Sequence, residues 1–146
     1  MRQKILSILN IRQSESRYVF DLVPLQFCIG IANAFTNIIA ITFFIHEFSV
    51  TLLPYAYLAI AVALILANIL YTRLEHKYPP LILLERIIIF CSIILVALWV
   101  GLRFYNEHLF TFLLLVWSII FYMISGYAFW GLVSLLFNVR ESKRVF

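Results

Sequence analysis

Apolar side chains run along this chain in four long blocks, 22–45, 52–72, 81–105 and 109–137, separated by short polar stretches. Each block reaches the roughly 20 residues that a helix needs to cross the hydrocarbon core of a bilayer. The first would be about 36 Å long as a helix. In lipid every backbone N–H and C=O must find its partner inside the protein, so blocks of this length and polarity are predicted to be α-helices. Residues 46–51 and 106–108 form tight connections. RLEHKYPP at 73–80 forms a polar one, with Pro79 and Pro80 at its junction with the third block. Connections this short force successive helices to run antiparallel. Asp21 and Pro24 suit the start of the first helix, because proline lacks an N–H that the first turn leaves unbonded anyway. The run continues through Ile45, too long for the core of a cleaved secretory signal, so the first helix is expected to be retained.

The predicted fold class is therefore an all-α integral membrane protein, an antiparallel bundle of four transmembrane helices spanning 22–137. Residues 1–21 form a basic N-tail. Ile5, Leu6, Ile8, Leu9 and Ile11 give that tail an apolar side, which suits either a short interfacial helix on anionic lipid or a frayed end. Residues 138–146 form a basic C-tail.

Composition narrows the class further. Of 146 residues, 64% are hydrophobic and 12% charged, and the mean hydropathy is +1.02. Soluble domains are about 45–50% apolar and about 25% charged. A soluble globular domain, a disordered chain and a free nucleic-acid binder are excluded, so no nucleic acid is expected among the partners. Cys28 and Cys91 both fall within apolar blocks and read as small hydrophobes rather than a disulfide or a metal pair.

Charge adds orientation. Arg2, Lys4, Arg12 and Arg17 precede the first block, Arg73, Lys77 and Arg86 surround the second connection, and Arg140, Lys143 and Arg144 close the chain. Only Arg103 falls at the other end of the bundle. The excess of Lys and Arg marks the cytoplasmic side, so both termini are expected in the cytoplasm, in an inner or plasma membrane. The net charge of +4 is thus topological information.

Polar residues inside lipid carry more functional information than the apolar ones around them. Gln26, Gly30, Asn33 and Asn37 recur at intervals that place them on one stripe of the first helix. Tyr57, Asn68 and Tyr71 share a face of the second, and Ala59, Ala63 and Ala67 form a small-residue ladder on another. Counted from the helix ends, Gln26 lies level with Asn68, Asn33 with Ser125 and Gly126, and Asn37 with Tyr57 and Tyr122. The first, second and fourth helices are therefore expected to surround a polar cavity formed by Gln26, Asn33, Asn37, Tyr57, Asn68, Tyr122 and Trp130. The third, with only Cys91 and Ser92 in its middle, is expected to face lipid. The same polar layers would equally serve as interhelical hydrogen bonds that hold the bundle together. Glu85 and Arg86 lie about one turn into the third helix and read as interface residues. Trp99, Tyr105 and Trp117 read as an aromatic belt.

A search for catalytic chemistry yields little. No HExxH, CxxC, GxSxG or phosphate-binding glycine loop occurs, and no carboxylate pair lies at depth. His46, His76 and His108 lie at separate helix ends. No enzymatic activity, metal site or cofactor is expected.

The segments LLPYAYL at 52–58, LYTRLEHKY at 70–78 and FWGLVSLLFNVRESKRVF at 129–146 carry a resemblance. Together they resemble the N-terminal part of a major facilitator superfamily transporter, in the branch of the ATP:ADP-antiporter-like carriers. The resemblance implies a fold like the first four helices of that superfamily, with the first and fourth lining a central cavity. It also implies a cytoplasmic gate in which Arg73, Glu75 and Lys77 meet Arg140, Glu141, Lys143 and Arg144. The relatives that carry nucleotides have charges in the first helix, whereas 22–45 is uncharged here, so the solute is left open. Family members have about twelve helices. Four imply a fragment or subunit, completed by the remaining helices of a carrier or by copies of itself. The competing expectation is a free-standing four-helix protein, acting as an oligomeric exporter or as an adaptor without transport.

Overall fold

The computed structural model describes residues 13–105 and 107–136, with side chains described for most of them. Four helices account for nearly all of this length. They are α1 (Gln13–Phe48), α2 (Leu53–Glu75), α3 (Pro80–Phe104) and α4 (Glu107–Leu136), with a 3₁₀ turn, Val50–Leu52, between α1 and α2. All four contain a stretch long and apolar enough to cross a membrane.

Helix boundaries follow local chemistry. α1 begins well before residue 22 and runs through Pro24, which therefore sits inside the helix rather than in its first turn. Proline removes one backbone donor there, but the helix continues, as membrane helices tolerate when other backbone bonds persist. The chain breaks at Ser49, whose φ of 68° lies in the left-handed region, and Leu52 N–H then donates to Ser49 O at 3.3 Å. Pro54 occupies the first turn of α2, where no donor is lost. At the other end α2 extends through Arg73 to Glu75, so these two residues are helical rather than part of the connection. Lys77 and Tyr78 N–H both donate to Leu74 O and close the helix. Pro79 is extended and Pro80 opens α3, as the sequence predicts.

α4 is the hub. It packs along α1 and α3 and, over a shorter length, along α2, while α2 and α3 touch little. The pairs Asn33–Ser125, Phe44–Phe112 and Glu47–His108 advance in opposite directions along α1 and α4, so the two run antiparallel. Burial follows this order, with α4 the most covered helix and α2 the least. The core has two parts. One, toward the basic end, includes Leu22, Ile29, Leu84, Ile87, Phe121 and Phe129. The other includes Ala40, Phe44, Ala56, Leu98 and Leu115. Leu95 and Trp117 pack against both.

Three expectations about packing are corrected here. α3 does not simply face lipid: Leu83, Leu84, Ile87, Cys91, Leu98 and Gly101 are buried, and α4 covers them. Lack of polar residues does not make a helix peripheral, because van der Waals packing holds apolar helices together in lipid. The close approach sits at Gly101, where a Cβ would collide with the Phe110 ring. The alanine ladder of α2 is not a seam, since Ala59 is exposed and Ala63 and Ala67 are half-buried. Trp117 is not a belt residue but a half-buried core contact, edge-on to Phe90 with 6.0 Å between rings. Trp99 and Tyr105, by contrast, are well exposed.

Candidate functional sites on the two ends of the hub helix

The polar residues singled out by the sequence separate onto different seams of α4. Asn33 lies on the α1–α4 seam, buried, and its amide Nδ2 donates to Ser125 Oγ at 3.0 Å. The Ser125 hydroxyl in turn donates to Phe121 O at 2.6 Å. This is the level match expected from counting helix positions, and its geometry is that of an interhelical tie. Asn33 Oδ1 is left buried without a partner, as is Oε1 of the half-buried Gln26 two turns away. Asn37 is half-buried. Tyr57 and Tyr122, expected level with it, are 46% and 61% exposed. The expected layer of Asn37, Tyr57 and Tyr122 is thus largely surface.

Asn68 and Trp130 do come together, on the α2–α4 seam. They line a groove of about 390 Å³ with Tyr71, Thr72, Glu75, Tyr127, Gly131 and Ser134. The Tyr71 and Tyr127 rings lie 5.8 Å apart across it. Gly131 keeps this wall low: a Cβ there would stand 3.6 Å from Tyr71 Oη and 3.7 Å from Glu75 Oε1. Glu75, expected in the cytoplasmic gate, therefore belongs to the same groove as two of the expected cavity residues. Arg73 and Lys77 are exposed nearby in the chain. Arg140, Glu141, Lys143 and Arg144 lie outside the described residues. Arg86 stacks its guanidinium over the Tyr78 ring at 4.5 Å, a cation–π contact at the helix start.

The opposite end of the bundle holds a feature that sequence reasoning missed. Glu47, at the end of α1, meets His108 Nδ1 of α4 at 3.0 Å and lies 3.7 Å from His46 Nδ1. These are the carboxylate–imidazole contacts found among the described residues. Beside them a half-open groove of about 840 Å³ runs between α1 and α3 over α4. Its walls include Ile39, Phe43, Leu95, Trp99, Leu102 and Leu114, and its polar groups are Thr36, Thr42, His46, Glu47, Arg103 and Thr111. The Thr36 and Thr42 hydroxyls donate to carbonyls of their own helix. Thr111 is 1% exposed and its hydroxyl has no partner. A signal was present in the sequence: Glu47 adjoins one histidine, and both His46 and His108 fall at the non-basic end. No group of His, Cys, Asp and Glu among the described residues is arranged to hold a metal ion.

This architecture defines a class, a multi-pass integral membrane protein built on a central fourth helix. No family model, curated protein or solved structure matches the chain.

Proposed function

We propose that this chain forms part of a secondary transporter for a small solute, and that the α2–α4 groove lies on the solute path at the cytoplasmic end. One observation supports the reading above all. Asn68 and Trp130, selected as cavity residues, and Glu75, selected as a gate residue, line one groove. That groove offers an amide, a carboxylate, two tyrosines and an indole, a donor and acceptor set able to replace part of a polar solute's hydration shell. The basic residues flanking the same end support a cytoplasmic location for it and for both termini, in an inner or plasma membrane. α2 is the least covered helix, so the groove lacks an outer wall. Further helices of a carrier, as the major facilitator resemblance implies, or a second copy of the chain would supply that wall. Under this reading Asn33 acts as a bundle tie rather than as a solute ligand.

The test is uptake into membrane vesicles of the source cell, which hold any completing helices or copies, across a panel of labelled amino acids, nucleosides, sugars and organic acids. Asn68→Ala, Trp130→Ala and Glu75→Gln are compared with the wild type, with helicity and insertion checked for each. All three residues are exposed, so the variants should fold. Loss of uptake of one solute in all three supports the reading. Uptake unchanged in all three, or no uptake of any solute by wild-type vesicles above vesicles from cells lacking the chain, overturns it.

A further inference from the structure

We infer that the groove between α1 and α3 at the non-basic end holds one zwitterionic phospholipid, its chain along the groove and its headgroup at the rim. The site is independent of the α2–α4 groove and lies at the other end of the molecule. Its shape fits a lipid chain. From Thr36 to Glu47 the groove follows α1 for about 16 Å, close to the ~15 Å depth of one leaflet's hydrocarbon. Its volume of about 840 Å³ falls within the usual range of ligand sites, about 300–1,000 Å³. The deep wall is apolar, formed by Leu95 and Leu114, with Ile39 at its exposed edge.

Charge appears only where a headgroup would sit, and the Thr36 and Thr42 hydroxyls deeper along the groove are spent on carbonyls of their own helix. Arg103 closes α3 and Glu47 closes α1, both lining the groove within the last turn or two of their helices. The guanidinium suits a phosphate and the carboxylate suits an ammonium group, so the rim carries opposite charges matched to a zwitterion. His108, outside the groove, and His46, on its rim, both approach Glu47 and hold its position. Thr111, one turn into α4, adds a second and independent sign of a ligand. It lines the same groove, is almost wholly buried, and leaves its hydroxyl without a protein partner. That hydroxyl lies one turn from the rim, where the ester carbonyls of a bound lipid could accept from it.

The experiment is native mass spectrometry of the full chain, taken from mixed vesicles of phosphatidylethanolamine and phosphatidylglycerol into detergent. The expected result is one phosphatidylethanolamine retained per chain in preference to phosphatidylglycerol. Arg103→Gln should weaken retention about tenfold, the loss of one charge-assisted contact. Arg103→Lys should keep it. Glu47→Gln should keep a lipid bound but shift the preference toward phosphatidylglycerol, since the carboxylate that repels a net-negative headgroup is gone. Retention of both lipids alike by the wild type, or of neither, overturns the inference. So does identical behaviour of wild type and Arg103→Gln. Displacement of the lipid by free phosphoethanolamine at a similar concentration would assign the groove to a soluble ligand and overturn it equally.

Discussion

The Asn33 amide on α1 donates to the Ser125 hydroxyl on α4 across 3.0 Å, joining two buried residues ninety-two positions apart on the α1–α4 seam. The Ser125 hydroxyl hydrogen is committed to Phe121 O, so Ser125 serves Asn33 as acceptor. Interhelical bonds of this kind are worth about 0.6 kcal/mol in lipid, up to about 1.7. A double-mutant cycle with Asn33→Ala and Ser125→Ala is expected to show a coupling of about that size, read from unfolding in mixed detergent–lipid micelles. Additive single effects would mean that the two side chains do not meet.

Gly101 sets the distance between α3 and α4. A methyl group there would overlap the Phe110 ring. Gly101→Ala is therefore expected to cost about 1–3 kcal/mol, the usual range for overpacking. Adding Phe110→Ala should recover much of that loss, because it removes the colliding ring. Thermal unfolding of the single and double variants checks this, and a Gly101→Ala variant as stable as the wild type contradicts it.

Tryptophan scanning separates the two faces of α3. Cys91 is 1% exposed, whereas Ile93 and Val96 are more than 60% exposed. Cys91→Trp should impair assembly strongly, since packed seams have no room for the added volume. Ile93→Trp and Val96→Trp should be tolerated in lipid. Equal tolerance at all three positions would return α3 to the periphery.

If all four helices cross the membrane, an even number of spans returns both ends of the chain to one side. Reporter fusions at Met1 and Phe146 are expected to report the same compartment, the cytoplasm, in keeping with the Lys and Arg distribution. Moving positive charge into the 49–52 connection should weaken that preference. Opposite readings at the two ends would mean that one helix does not span.

Number and position of the helices were legible in the sequence, because lipid leaves the backbone no alternative to internal hydrogen bonding over an apolar run. Pro79 and Pro80 marked their junction for an equally local reason. The level match of Asn33 with Ser125 followed from rise per residue alone, which is constant in a helix. Rotation and neighbour choice were not legible, since they depend on how side-chain volumes interlock. Polar residues drew attention to α2 and away from α3, yet α3 is the better covered. Its Leu84, Ile87 and Cys91 fill space against α4 without any polar signature. Likewise, Glu47 and His108 are sixty-one positions apart, and only the antiparallel docking of α1 on α4 brings them to 3.0 Å. Local backbone chemistry determined the four rods. The contest among apolar surfaces for close packing decided that the fourth stands at the centre, and therefore which side chains share a groove.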